Sequence, residues 1–407
     1  MFTAISTRTR RGAAFAALTI GAILLSSCLR AGSTPVPTRS SQGPIPTATG
    51  EESPGSSPSQ GSSASPAPLP SVVWAGAPMD GMPAAIGSLG DLKLAAGSDD
   101  EGIASWVSSD GLVWTPVEVP FKDVADYQSA EMGPIAVLGG RLYSVGFGNI
   151  GADTNMPLAW YSDDGTARAE IPRTDPFFTG YGMVWGIAAS NERLIALKNY
   201  GLLTGSIWSS TDGARWIDVS PRAAELEPWE SGIAVLDVIH NGTRFVVVGE
   251  MNDETAGAWV SSDGTEWTAA TSGDLAGGSM RAVAAAPGGY VAVGLIDETP
   301  AAWSSSDGLE WTRQVLPEAG GRVVPHSVVA IDGGLLAIAN SEAGSATWLS
   351  ADGVDWSLGE SLDTGIGIWL GLSGSNLVMS TGSEVVFLAR SDAGTTAYLG
   401  TVGSAAE

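Results

Sequence analysis

Thiols are almost missing from this sequence, since Cys28 is the single cysteine among 407 residues. No intrachain disulfide can form, and no cysteine-based metal cluster can be built. Imidazole is nearly as scarce: His240 and His326 are the two histidines, too few for a histidine-rich metal site. Basic side chains number 19 against 44 acidic ones, for a formal charge of −25. Such a chain repels nucleic acid and anionic lipid, so neither is expected as its main partner. No Gly-x-Ser-x-Gly elbow and no phosphate-binding loop is present. Gly146-Phe147-Gly148-Asn149-Ile150-Gly151 imitates a dinucleotide-binding pattern, but no amphipathic helix follows to offer its N-terminus to a phosphate. Asn241-Gly242-Thr243 matches a glycosylation acceptor and falls on a hairpin turn. His240 sits near a strand end and reads as a packed side chain. No cofactor and no metal is expected.

The single cysteine has a context. Arg8, Arg10 and Arg11 precede an apolar stretch from Ala13 to Leu25, which is too short to span a bilayer. Leu25-Ser26-Ser27-Cys28 follows, and the segment resembles the lipobox of bacterial lipoproteins. The resemblance implies a signal peptide over 1–27, cleavage before Cys28 and lipidation of that cysteine. The mature protein would then be held by its lipid on the extracytoplasmic face of the cell membrane. Acyl chains gain roughly 0.8 kcal/mol per buried CH₂, so a multiply acylated cysteine anchors firmly. Residues 28–70 are built largely from Ser, Pro, Thr and Gly. They have little to bury and are expected to form a disordered tether, about 130 Å long if wholly polyproline-like.

From residue 71 to 407 the chain repeats. Trp106-Val107-Ser108-Ser109-Asp110-Gly111-Leu112-Val113-Trp114 recurs from Trp208, Trp259, Trp303 and Trp348, with a weaker copy from Trp160 to Arg168. The central aspartates are Asp110, Asp164, Asp212, Asp263, Asp307 and Asp352, spaced 44 to 54 residues apart. That period suits four-stranded propeller blades. Hairpin signals supply a second count: Gly90-Asp91, Gly139-Gly140, Asn191-Glu192, Asn241-Gly242, Gly288-Gly289, Gly333-Gly334 and Ser375-Asn376. Ser391-Asp392-Ala393-Gly394 reads as a degenerate seventh copy of the Asp-Gly turn. An all-β, seven-bladed β-propeller is therefore expected, with six or eight blades as the alternatives. Ser71 to Trp74 could add a closing strand to the last blade.

The spacing of the tryptophans suggests a three-residue loop, Ser109-Asp110-Gly111, with the glycine left-handed. Trp106 would then lie opposite Trp114, and Ser108 opposite Leu112. Paired indoles on one hairpin face would pack the outer strands and glue neighbouring blades.

Ser-x-Asp-Gly-x-x-Trp resembles the Asp-box, or BNR repeat, of sialidase-like propellers. The usual family pattern has one more residue between Asp and Trp, and a Thr that is missing here. The resemblance implies a propeller whose boxes are structural and lie away from the active site. Sialidase chemistry would further need three converging arginines, a tyrosine–glutamate nucleophile pair and an aspartate acid. An Arg-Ile-Pro segment before the first box often carries the first of those arginines, yet no arginine stands between Arg39 and Arg141. The alternative of a sialidase-like hydrolase with a diverged site stays open beside a non-catalytic module.

Strand order puts the Asp-Gly loops and Gly-rich hairpins on one face of the disc. The other face receives acidic turns: Ser98-Asp99-Asp100-Glu101, Asn252-Asp253-Glu254, Asp297-Glu298 and Glu342. Segments entering the innermost strands add Tyr181, Trp185, Trp229, Arg281, Arg322, His326 and Trp369. These seven form the candidate ligand-binding set at the channel mouth, suited to a carbohydrate or a protein patch. The expected protein is a membrane-tethered, monomeric recognition or assembly module.

Overall fold

The structure is a computed structural model and describes residues 68–119, 127–151, 154–200, 204–221, 232–251, 254–271, 273–342, 344–364, 374–391 and 393–403. The segments read as signal peptide and tether, Cys28 among them, lie outside the described residues apart from 68–70. Seven antiparallel sheets stand in a ring as the blades of a β-propeller. Strand β1 (Ser71–Met79) comes first in the chain. The first blade then runs outward from the channel as β2 (Met82–Leu89), β3 (Leu92–Asp99), β4 (Gly102–Ser108) and β5 (Thr115–Val117). The second to seventh blades span 129–170, 183–218, 233–269, 278–315, 323–358 and 378–403.

Blades stack face to face, so their middle strands are buried on both sides. Every residue of Leu194–Asn199 is buried, for example. The core therefore lies between blades: Val291 and Val293 of the fifth pack with Leu335, Ala337 and Trp348 of the sixth. Trp303 and Trp348 are wholly buried. Each such indole removes roughly 150–250 Å² from water, on the order of 4–6 kcal/mol before entropy is counted.

The Asp-Gly segments do not form the expected three-residue loops. Val107 pairs with Thr115 and Trp106 with Pro116, so the turn encloses 108–114 and Trp114 is not opposite Trp106. The same offset of ten residues joins Trp208 to Asp218, Trp259 to Ala269, Trp303 to Arg313 and Trp348 to Leu358. Side-chain acceptors explain the difference. Asp110 Oδ1 accepts from the amides of Leu112 and Val113, both at 2.9 Å, while Ser108 Oγ accepts from Gly111 N at 2.8 Å. Leu112 N is thus taken by a carboxylate and cannot join a ladder with Ser108. Trp114 Nε1 closes the turn on Gly111 O at 3.2 Å. Gly111 has φ of 78°, and a Cβ there would meet Val386 of the seventh blade at 2.6 Å, so the turn rests its backbone on the preceding blade.

In the second blade Arg168 stands where the other turns place tryptophan. Its Nη1 donates to Gly165 O at 2.6 Å, as the indoles of Trp114, Trp216, Trp311 and Trp356 do in their own turns, and Nη2 donates to Ser105 Oγ of the first blade at 2.7 Å. Burial lowers this guanidinium to about 10, with Asp164 pulling the other way.

The seventh blade departs from expectation twice. Ser375-Asn376 is no hairpin but part of a 3₁₀ turn, Gly374–Leu377, and the hairpin lies beyond it, between Ser380 and Val385. Ser391 to Gly394 joins the second and third strands, since those two residues pair directly, so it is not an Asp-Gly copy. The blade needs none, because β1 supplies its outer strand along the whole of Ser71–Met79, from Ser71↔Gly403 to Met79↔Thr395. The closing strand is five residues longer than the expected Ser71 to Trp74.

Two outcomes follow from these turns. Amide donors hold Asp110, Asp164, Asp263 and Asp307 below the ordinary carboxylate value, aided at Asp263 first by the Thr265 hydroxyl. At Asp212 and Asp352 burial acts upward, but the amides outweigh it. A depressed folded value contributes stability above the unfolded pKa and loses it as pH falls through the folded one. The melting temperature should therefore drop steeply below about pH 4, down to about 2 where Asp164 titrates, and Asp307→Asn should flatten that profile while costing about 0.5–1 kcal/mol at neutral pH. Calorimetry across pH 2–7 checks it. Arg168→Ala should lose roughly 2–3 kcal/mol in urea unfolding, with Arg168→Lys recovering less than half because one ammonium cannot serve both acceptors.

Candidate functional site

Each blade turns from its first to its second strand at one end of the disc, where all but the seventh also turn from the third to the fourth. The second-to-third turns and the connections between blades lie at the other end, where the chain enters each innermost strand. Close to that entry, five innermost strands carry one extra residue. The bulged residues are Ala84, Trp185, Leu236, Arg281 and His326. Trp185, Arg281 and His326 of the expected binding set are therefore equivalent positions in the third, fifth and sixth blades. A bulge re-aims a side chain out of the ladder, and such devices cluster at functional rims.

A residue on the facing strand makes room for the bulge. A Cβ on Gly97, Gly249 or Gly294 would lie 2.2, 1.9 or 2.0 Å from the carbonyl oxygen of Met82, Ala234 or Ser279. Only glycine lets the backbones approach so closely. Ala339 holds the matching register position in the sixth blade and Lys198 in the third.

The electrostatics of the bulged positions differ from the rim around them. Arg281 is half-buried, and loss of water pushes its guanidinium down, with Glu250 opposing that shift and Arg322 adding to it. Its Nε is buried without a hydrogen-bond partner among the described residues, as is Ser279 Oγ two residues earlier. Arg322 is exposed at the entry to the sixth blade. His326 is buried, with Nδ1 2.9 Å from Ser327 Oγ and its ring 6.1 Å from Phe387. Trp185 O accepts from Asn376 Nδ2 at 2.6 Å, which ties the third blade to the seventh, far around the ring. Asp237 links the fourth and fifth blades, its Oδ1 accepting from Val238 N and its Oδ2 from Val283 N, both at 2.9 Å. Around this interior stand exposed acids, among them Asp100, Glu101, Glu254, Asp297, Glu298 and Glu342. Glu254, Asp297 and Glu298 hold left-handed φ of 60°, 47° and 67°, where glycine would be cheaper.

Tyr181 stands apart from the arginines. It is exposed, and its ring neighbour is the equally exposed Tyr200 at 6.1 Å. Beside them Lys198 is buried, its Nζ 4.6 Å from the Trp208 ring and 5.2 Å from that of Phe177, donating to Phe177 O at 3.3 Å. Burial lowers this ammonium to about 8, with Asp218 and Asp175 acting the other way. Tyr200 carries no motif that would mark it. Neither does half-buried Glu131, whose carboxyl is raised by loss of water against the pull of Arg390 and a Ser98 hydrogen bond. Trp229 and Trp369 lie outside the described residues. Among the described residues no three His, Cys, Asp or Glu side chains group as a metal would require, and no helix is long and apolar enough to cross a membrane.

No family model and no curated protein sequence matches the chain. Among solved structures it is similar to YCF48 from Cyanidioschyzon merolae, at 11% identity and a TM-score of 0.49, over 81% of this chain and 98% of that one. It is similar also to a protein of unknown function from Dyadobacter fermentans DSM 18053, at 13% identity and 0.41, over 83% and 95% of the two chains. A Trypanosoma rangeli sialidase is matched at 14% identity and 0.41, over 72% of this chain and 54% of that one. At these identities no activity follows for this chain.

Proposed function

We propose that this propeller is a non-catalytic recognition module, lipid-anchored at Cys28 on the outer face of the cell membrane, and that its bulged channel end binds a carbohydrate. The observation that carries the binding role is Arg281, whose buried Nε makes no hydrogen bond among the described residues. A buried donor left unmade costs about 1–3 kcal/mol, which a ligand oxygen would restore. Sugars fit this end in three ways. The Trp185 ring provides a flat apolar face, Arg281 and Ser279 provide polar groups without partners, and the rim acids accept from hydroxyls. A non-catalytic role is favoured because no arginine stands between Arg39 and Arg141, where sialidase-like propellers often carry the first arginine of the carboxylate-binding set.

Residues 71–407 should bind members of a glycan array at neutral pH, and Trp185→Ala with Arg281→Ala should weaken the best binder at least tenfold with the melting temperature held within a few degrees. The same protein should release no fluorophore from sialosides or other glycosides between pH 4 and 8. Turnover that disappears in Glu131→Gln would establish the hydrolase instead. The anchor has its own check. Cells fed labelled palmitate should yield a labelled wild-type chain in the detergent phase, whereas Cys28→Ser should be unlabelled and should partition with soluble proteins.

A further inference from the structure

Asn241-Gly242 is the one Asn-Gly pair in the chain, and it lies in the first hairpin of the fourth blade, beyond the pair His240↔Phe245. Asn241 N donates to Arg244 O at 3.2 Å. Asn241 Oδ1 accepts from Thr243 N and Arg244 N, both at 3.0 Å, and from Thr243 Oγ1 at 2.8 Å. Backbone amides only donate, so these contacts fix the oxygen on this side and Nδ2 on the other. Nδ2 donates to the Tyr290 hydroxyl of the fifth blade at 2.7 Å. Gly242 N donates to Nδ1 of half-buried His240 at 3.3 Å.

The third blade shows that the hairpin does not require an asparagine. Ser190 holds the same place there: its N donates to Arg193 O at 2.8 Å, and its Oγ accepts from Glu192 N and Arg193 N at 3.2 and 3.1 Å. What asparagine adds is an amide carbon open to attack by the nitrogen of the next residue. That attack is ordinarily slow for three reasons. A peptide nitrogen is a poor nucleophile, the oxygen takes on negative charge as the carbon becomes tetrahedral, and an amide nitrogen leaves badly.

The hairpin has a group for each of these difficulties. His240 stands where it can take the proton of Gly242 N, and burial lowers this imidazole, which keeps it neutral and basic at neutral pH. Its ring is held against Phe245 at 4.5 Å. Three donors already aimed at Oδ1 would stabilise the oxyanion. The Tyr290 hydroxyl faces Nδ2, and burial raises this phenol against the pull of Arg244, so it holds a proton to give. Gly242 is exposed, and a Cβ there would meet nothing within 4 Å, so water reaches the product.

We propose that the Asn241 hairpin is a self-modifying site, which converts its own asparagine to a carboxylate through a cyclic imide. The bond from Gly242 N to Asn241 Cγ forms as His240 takes the amide proton, and the Cγ–Nδ2 bond breaks as Tyr290 protonates the departing nitrogen. Ammonia leaves, and the proton on His240 returns through solvent to Tyr290. One water then opens the imide at either carbonyl, giving aspartate or isoaspartate at 241. Either product removes the Nδ2 donor from Tyr290 and so alters the contact between the fourth and fifth blades. The site is at the hairpin end of the disc and does not depend on the carbohydrate reading of the bulged end.

The experiment incubates the full chain at neutral pH, folded and in parallel unfolded in urea. The tryptic peptide ending at Arg244 is then followed by mass spectrometry, with aspartyl and isoaspartyl forms separated. The unfolded chain gives the rate that the Asn-Gly pair has by itself. Asn241 should lose ammonia about tenfold or more faster in the folded chain. His240→Gln should remove most of that acceleration while leaving the rate in urea within about twofold. Tyr290→Phe, which keeps the packed ring, should slow the folded chain about threefold or more. Asn241→Ser, which copies the third blade, should yield no modified peptide and an unchanged melting temperature. A folded chain that reacts no faster than the unfolded one would overturn the proposal, because the turn would then protect its asparagine. So would an acceleration that survives both His240→Gln and Tyr290→Phe.

Discussion

One carboxylate oxygen accepting from two backbone amides sets how the outer half of each regular blade is built. The interaction withdraws those amides from any strand ladder, so pairing can resume only after the turn has closed. It thereby separates two tryptophans that a simple hairpin would place side by side. The first goes into the space between blades, and the second, in every such turn but that of Trp267, bends back to satisfy the carbonyl of the turn glycine. Because that glycine also presses on the preceding blade, a local turn becomes part of the contact between blades. Arg168 shows what the final position requires. A guanidinium replaces the indole there and keeps the donor over Gly165 O, at the cost of a charge taken out of water.

Much of the architecture was legible in the sequence because the repeat is carried by turn chemistry, which is local. The blade number, the all-β class and the sorting of turns to two ends all follow from it. The strand register did not, since geometry alone cannot show that Asp110 will outcompete the backbone for the amides of Leu112 and Val113. The seventh blade was the hardest to read for a different reason. Its outer strand comes from the other end of the domain, so its third and fourth strands share no turn, and Ser391 to Gly394 merely resembled one.

The candidate site was legible residue by residue but not as a pattern. Trp185, Arg281 and His326 stood out for their chemistry, while their equivalence lies in the bulge each occupies. Its trace in the sequence is a glycine two residues before the end of the second strand, as in Leu94-Ala95-Ala96-Gly97, Val246-Val247-Val248-Gly249 and Val291-Ala292-Val293-Gly294. Lys198 breaks this trace in the third blade, and a charged residue in a glycine register was the available signal that something there is different. Glu131 left no signal, because Ser98 and Arg390 reach it from other blades, and Tyr200 left none, because Tyr181 meets it only once the strands between them have paired.

The pairing of Ser71 with Gly403 makes the propeller cyclic in space although the chain is linear. Antiparallel partners of this kind have Cα atoms about 5 Å apart, so a short peptide could join them without disturbing either strand. A circular permutant opened between two other blades would then carry its new termini elsewhere on the rim. The first blade would be entered as the others are, by a linker whose length could be chosen freely. The short entry to the first blade, Asp80-Gly81, is in this sense a by-product of where the ring was cut, and the gene could place such an entry at any of its blade boundaries.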